Sequence, residues 1–116
     1  MTANTPRSRK AKGAKFQNEI REKLLERFEH LEPDDIKTAV MGESGMDIKL
    51  SPAAQRAFPW AIEAKAQEKV ALRAWWDQAV ANETEKLKPL LITKQSRKEP
   101  LVIMKLDDFL DMVGDK

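Results

Sequence analysis

Apolar residues recur at helical spacing near the amino terminus of the chain. From about Gly13 onward they stand three or four residues apart on one face, opposite a charged face. They are Phe16, Ile20, Leu24, Phe28 and Leu31. This pattern predicts an amphipathic helix. Pro33 is expected to end it, because proline lacks an amide donor and biases the preceding residue away from helical angles.

Strand patterns dominate the middle of the chain. Three segments alternate between apolar and polar residues and are predicted to be half-buried strands: 36–40, 46–51 and 60–67. In the third, Ile62 and Ala64 would share one face, and Glu63 and Lys65 would share the other. Two continuous apolar runs are predicted to be buried strands joined by a basic loop: 89–93 and 101–106.

Two further helices complete the pattern. One is predicted over 69–82, where Trp75 and Trp76 point about 100° apart, so one is expected to pack inward and the other to meet a partner. A short last helix is expected to begin with Asp107 as its N-cap. The order helix, three strands, helix, two strands, helix predicts an α/β domain, a central mixed sheet of about five strands flanked by helices.

Composition limits the possible chemistry. A chain of 116 residues fits one domain. It has no cysteine, no tyrosine and one histidine, which excludes disulfides, thiolate metal sites, phosphotyrosine intermediates and a metal site with two imidazoles. Any bound metal would therefore need oxygen ligands. No apolar stretch is long enough for a membrane span or a signal peptide, so a soluble cytoplasmic protein with no membrane partner is expected.

Basic residues are concentrated at the amino terminus, although the net charge is only +2. Residues 1–12 contain no acidic residue, which predicts a flexible basic arm ahead of a single folded domain over 13–116. Four side chains in and beside this arm are expected to bind DNA: Arg9, Lys10, Lys12 and Lys15. The basic loop over 94–98 is a second candidate for phosphate contacts.

The main chemical signal links Asp47 to the tripeptide Glu63-Ala64-Lys65, which begins 16 residues further on. Side chains two apart in a strand point the same way, and Asp47 can join them if its strand pairs with theirs. Two carboxylates suit Mg²⁺. The lysine could orient or deprotonate an attacking water, or stabilise charge on a phosphate, while the metal acts as a Lewis acid. The combination predicts metal-assisted phosphodiester hydrolysis.

A surface ion pair between Glu63 and Lys65 is the competing interpretation. Glutamate and lysine are so frequent here that about one E-x-K tripeptide is expected by chance. The context favours a nuclease, because the tripeptide lies in a predicted strand that follows a G-x-D sequence and a basic helix.

Three motifs resemble those of the PD-(D/E)XK nuclease superfamily, and specifically the small Holliday junction resolvases of archaea and phages: KGAKFQ at 12–17, GMD at 45–47 and IEAK at 62–65. The resemblance covers most of the chain. It implies a restriction-endonuclease-like fold and a homodimeric DNA recombination enzyme that nicks four-way junctions. It also implies Mg²⁺, with Mn²⁺ able to substitute, and no small-molecule cofactor. A phage-encoded member would act in the host cytoplasm.

The resemblance also implies roles for individual residues. Asp47 and Glu63 would hold the metal, with the Ala64 carbonyl as a further ligand, and Lys65 would serve the attacking water. Ser44, beside the turn before the aspartate, could hydrogen-bond a phosphate or the metal shell.

Gln17 departs from the family pattern, in which archaeal members carry a glutamate four residues after the helix glycine. Its amide oxygen can still bind a metal or a metal-bound water, but it adds no charge. Glu19 is the alternative from a shifted helix, although Gln17 is favoured. Gln67, next on the active face, is a further candidate. Two other functions stay open: a related nuclease acting on flaps, forks or duplexes, and a non-catalytic DNA-binding protein on the same scaffold.

Overall fold

The computed structural model describes residues 6–40 and 45–115. The helices are α1 (Pro6–Arg27), α2 (Pro52–Ala57), α3 (Leu72–Ala81) and α4 (Leu106–Val113), with a short 3₁₀ turn at Pro33–Asp35. The strands are β1 (Ile36–Thr38), β2 (Ile48–Leu50), β3 (Trp60–Ala66), β4 (Lys88–Lys94) and β5 (Leu101–Ile103). The predicted α/β class and the five strands are confirmed, but α2 lies between the second and third strands, where the predicted order has no helix.

The strands form two sheets rather than one. β1 and β2 pair as an antiparallel ribbon, and the other strands lie in the order β3-β4-β5. β3 and β4 are parallel, because α3 carries the chain from the end of one to the start of the other, and β5 is antiparallel to β4. The ribbon meets the larger sheet where the Asp47 N–H donates to the Ile62 carbonyl, at 3.2 Å.

Both faces of the larger sheet are covered. On one face, Ile62 packs with Phe16 and Ile20 of α1. Each of these side chains is at most 5% exposed, and burying one stabilises the fold by about 1.5–3 kcal/mol. On the other face, α3 covers the sheet through Trp75, which packs on Leu91 of β4. The predicted alternation of β3 places its glutamate on this second face.

α1 begins at Pro6, so the predicted start near Gly13 is wrong. Proline suits the first turn of a helix, where an amide donor has no partner, and the arginine, lysine and alanine residues that follow are strong helix formers. Most of these side chains are exposed, so no apolar periodicity marks the turns. The described part of the predicted arm is therefore helical, and residues 1–5 lie outside the described residues.

The carboxyl-terminal elements also differ from expectation. β5 is a short edge strand whose Leu101 and Val102 are 60% and 55% exposed, so the prediction of a buried strand is wrong. The N-cap of α4 is Lys105 rather than Asp107. Asp107 lies in the first turn of the helix, where an acidic side chain interacts favourably with the helix dipole. Among the described residues, no helix has the length and apolar character needed to cross a membrane.

Candidate active site

Asp47 precedes β2 and lies against the middle of β3. Its N–H donates to the Ile62 carbonyl, and its Oδ2 accepts the N–H of Ala64 at 2.7 Å. These two residues flank Glu63 in the strand, and the Asp47 charge acts on the Glu63 carboxyl group. The structure therefore brings together the two carboxylates that the sequence separates by 16 positions.

Glu63 is only 7% exposed, and it is the only buried charged residue in the part of the chain that the structure describes. Its Oε2 lies 3.5 Å from Nζ of Lys65, whose side chain is 19% exposed. Its Oε1 accepts a hydrogen bond from Nδ2 of Asn82 at 3.1 Å. The Glu63–Lys65 contact is thus a shielded pair rather than an exposed surface ion pair, and a buried carboxylate needs such partners.

Burial raises the pKa of both carboxyl groups. For Asp47, loss of solvent outweighs the opposing effects of the Ala64 N–H and the Lys65 charge on the pKa. For Glu63, loss of solvent and then the Asp47 charge raise the pKa, against Lys65 and Asn82. Neighbouring acidic groups whose pKa values are shifted in this way are typical of functional sites. A bound cation would offset the cost of keeping both ionised.

The available donors fit a hydrated Mg²⁺ ion. Mg²⁺ in proteins commonly takes one or two carboxylates and retains several waters. Asp47 and Glu63 supply two carboxylates, and over residues 6–40 and 45–115 no group of three or more acidic, histidine or cysteine side chains forms a richer site. The Ala64 N–H donates to the Asp47 carboxylate. The role of the Ala64 carbonyl as a metal ligand stays a prediction.

α1 places Gln17 and Glu19 on opposite flanks, because residues two apart in a helix point about 200° apart. Gln17 shares its flank with Arg21, whose guanidinium donates to the Ile36 carbonyl at the start of β1. The Glu19 carboxylate lies 3.5 Å from Nζ of Lys94 in β4. Gln17 therefore lies on the side of the ribbon that carries the aspartate, and Glu19 faces the β4–β5 turn.

The predicted DNA contacts are spread over two regions. Four of them lie in α1: Arg9, Lys10, Lys12 and Lys15. Gln67 is exposed directly after β3. Ser44 lies outside the described residues.

Asn82 is a site residue that the sequence did not reveal. It is the C-cap of α3, where asparagine is an ordinary helix-ending residue. Its contact with Glu63 depends on how α3 returns across the sheet after β3. Helix periodicity predicts α3, but it does not give the position of its last residue relative to the strand.

A family model described as "Phage putative PDDEXK endonuclease" matches residues 8–116. Comparison with the curated proteins and with the solved structures gives no match. The family match spans nearly the whole chain and includes Asp47 and the Glu63-Ala64-Lys65 tripeptide, the residues that converge in the structure. The chain therefore belongs to the family of phage PDDEXK endonucleases that this model describes.

Proposed function

We propose that this protein is a Mg²⁺-dependent endodeoxyribonuclease that resolves four-way DNA junctions. The observation that carries the proposal is the convergence of Asp47, Glu63 and Lys65 around β3. Family membership supports an endonuclease, and the resemblance of its short motifs to those of Holliday junction resolvases supports branched DNA as the substrate.

Two carboxylates, one side-chain amide and one backbone carbonyl form the proposed metal site. Asp47 and Glu63 hold Mg²⁺ or Mn²⁺, with the Gln17 amide oxygen and the Ala64 carbonyl as further ligands. Bound there, the ion supplies positive charge that stabilises the phosphate in the transition state and lowers the pKa of water. The Asn82 amide keeps Glu63 oriented and favours its ionised form.

Lys65 is the positively charged side chain that the protein itself contributes to this site. Its ammonium is held within 3.5 Å of Glu63, so it is positioned before substrate binds. It orients the attacking water and stabilises charge on the phosphate oxygens. Attack of the water on phosphorus breaks the bond to the 3′ oxygen, which leaves a 5′-phosphate and a 3′-hydroxyl.

A basic cleft runs from the end of β3 along α1 and the β4–β5 turn. Its lining includes four basic residues: Lys12, Lys15, Lys94 and Arg97. The cleft reaches β3 at Ala66, which directly follows Lys65 but shares the α1 face of the strand with Ile62 and Ala64. Lys12 is held 3.5 Å from Oγ of Ser96 in the turn. We propose that the DNA backbone lies in this cleft, because clustered ammonium and guanidinium groups neutralise phosphates.

Lys15→Ala is expected to weaken DNA binding about 3- to 10-fold at low salt, and similarly for all DNA structures. The slope of log affinity against log salt should fall by about 1, since one phosphate contact is lost. Lys23→Ala is the matched control, because Lys23 is an exposed lysine about 12 Å further along α1. Equal effects of both substitutions in a salt titration would argue against the cleft as the binding path.

Asn82→Ala is expected to lower the cleavage rate about 10- to 100-fold, because a hydrogen bond to a charged group contributes roughly 1.5–3 kcal/mol. The acidic limb of the pH–rate profile should also move to higher pH, since the ionised form of Glu63 loses a partner. Gln78→Ala, at an exposed position of the same helix, should change neither quantity. A lower rate with an unshifted profile would contradict the proposed effect on Glu63.

In the direct test, the purified protein is incubated separately with labelled four-way, three-way, flap and linear DNA, once with Mg²⁺ and once with a chelator. Paired symmetric nicks in the four-way substrate that require the metal would support the proposal. Equal cutting of linear DNA would instead indicate a general nuclease. Junction binding without cutting in Mg²⁺ and in Mn²⁺ would indicate a non-catalytic DNA-binding protein.

A further inference from the structure

The carboxylate of Glu68 lies among hydrogen-bond donors where α1 meets the turn between β4 and β5. Glu68 belongs to the loop that follows β3. Its Oε2 accepts the N–H of Ser96 at 2.7 Å and lies 3.7 Å from Nζ of Lys12. Nζ of Lys12 also donates to Oγ of Ser96, at 3.5 Å. A helix, a turn and a loop therefore converge on one carboxylate oxygen.

The groups around this carboxylate are of the kind that bind DNA phosphates. Lysine ammonium groups, serine hydroxyls and backbone N–H groups are all frequent contacts of the DNA backbone. Hydrogen bonds from the Ser96 hydroxyl and then from the Ser96 N–H lower the pKa of Glu68, and the Lys12 charge acts in the same direction. The carboxylate is therefore ionised at neutral pH. A phosphate oxygen in its place would find the same donors.

The Glu68 side chain can leave this position without moving the loop. Nε2 of Gln95 donates to the backbone carbonyl of Glu68 at 2.6 Å, so the loop is also tied to the turn through its main chain. The Lys98 N–H closes the turn by donating to the Gln95 carbonyl at 3.0 Å. The side chains of Lys12 and Glu68 are 32% and 52% exposed, and an exposed ion pair contributes little to stability. Displacing the carboxylate therefore costs little and leaves the donors in place.

The position adjoins the basic cleft and lies near the candidate active site. Lys12 and Ser96 both line the cleft. Glu68 follows Lys65 by three residues, so their Cα atoms are at most about 11 Å apart. One strand of duplex DNA carries a phosphate about every 3.4 Å along the helix axis. A phosphate bound at this position would therefore lie within a few nucleotides of the bond that Lys65 serves.

We propose that Lys12 and Ser96 form a binding site for one phosphate of the DNA backbone, and that the Glu68 carboxylate fills this site until DNA displaces it. The inference deepens the proposed function and rests on it. Glu68 acts as an internal competitor of the phosphate, because both anions need the same ammonium and the same N–H group. It lowers the affinity for linear and branched DNA alike, since a backbone phosphate is common to both.

Glu68→Gln is expected to tighten DNA binding about 3- to 10-fold at low salt, because the variant removes a charge that competes with the phosphate. The glutamine oxygen can still accept the Ser96 N–H, so the turn should keep its structure. Fluorescence anisotropy with labelled linear and four-way DNA in a chelator measures affinity without cleavage. The gain should be equal for both DNAs and should shrink as salt is added, since salt screens the charges. In a Lys12→Ala background, the same substitution should change affinity less than about 2-fold.

Glu99→Gln is the matched control, because it removes the same charge from an exposed position near the same turn, and it should leave affinity unchanged. Unchanged or weaker binding by Glu68→Gln would overturn the proposal and leave Glu68 as a brace of the turn. Equal gains in both variants would overturn it in favour of a general charge effect. A full gain in the Lys12→Ala background would overturn Lys12 as a phosphate ligand. Absence of DNA binding by every variant and the wild type would overturn the proposed function and this site with it.

Discussion

Asp47→Asn is expected to lower the rate of DNA cleavage by about 1,000-fold or more, which corresponds to about 4 kcal/mol of transition-state stabilisation. The neutral amide loses the charge that the proposed metal site requires. Its oxygen can still accept the Ala64 N–H that Asp47 now accepts, so the ribbon should keep its position against β3. Single-turnover cleavage of a labelled four-way junction measures the rate, and a gel-shift titration without metal measures binding.

Binding should stay within about 3-fold of the wild type, because a carboxylate contributes no favourable contact to a phosphate. Asp34→Asn is the control, since Asp34 is an exposed aspartate in the 3₁₀ turn and its substitution should change neither rate nor binding. Cleavage by the Asp47→Asn variant at the wild-type rate would show that Asp47 is not part of the active site. Loss of binding together with cleavage would instead show that the change damages the fold.

The two faces of the strand that carries Glu63 and Lys65 could be predicted from the sequence. In β3, Ile62 and Ala64 lie on one face and Glu63 and Lys65 on the other, and a period of two assigns both faces at once. The place of Asp47 could only be stated conditionally. Its contact with β3 depends on how the ribbon meets the larger sheet, which local periodicity does not determine.

Other features depend on tertiary contacts that leave little trace in the pattern. The apolar run at β5 predicted a buried strand, but an apolar run does not show whether a strand lies inside a sheet or at its edge. The sequence predicted the short helix α4, but not that Asp108, rather than the apolar side chains of this helix, would turn toward the protein. The first turns of α1 are helical through residue propensity alone, so a search for apolar spacing missed them.

Glu63→Gln is expected to abolish cleavage and, in the absence of divalent metal, to raise the midpoint of thermal unfolding by several degrees. The pKa of Glu63 is raised in the folded protein, so the folded state favours the neutral group. Stability from this preference is complete below the unfolded pKa and is lost as pH rises through the folded pKa. At neutral pH the wild type therefore carries a cost that the neutral glutamine removes. About 1 kcal/mol moves the midpoint by roughly 3–6 °C in a domain of this size.

The difference in stability should disappear in acid, where Glu63 itself becomes neutral, and it should shrink when Mg²⁺ is added. A ligand that binds only the folded state stabilises it in proportion to the logarithm of its concentration, and the glutamine variant loses half of the carboxylate site. Glu26→Gln, at an exposed position of α1, should follow the wild type at every pH. A glutamine variant less stable than the wild type without metal would show that burial of this charge carries no net cost. Equal stabilisation of both proteins by Mg²⁺ would place the ion elsewhere on the molecule.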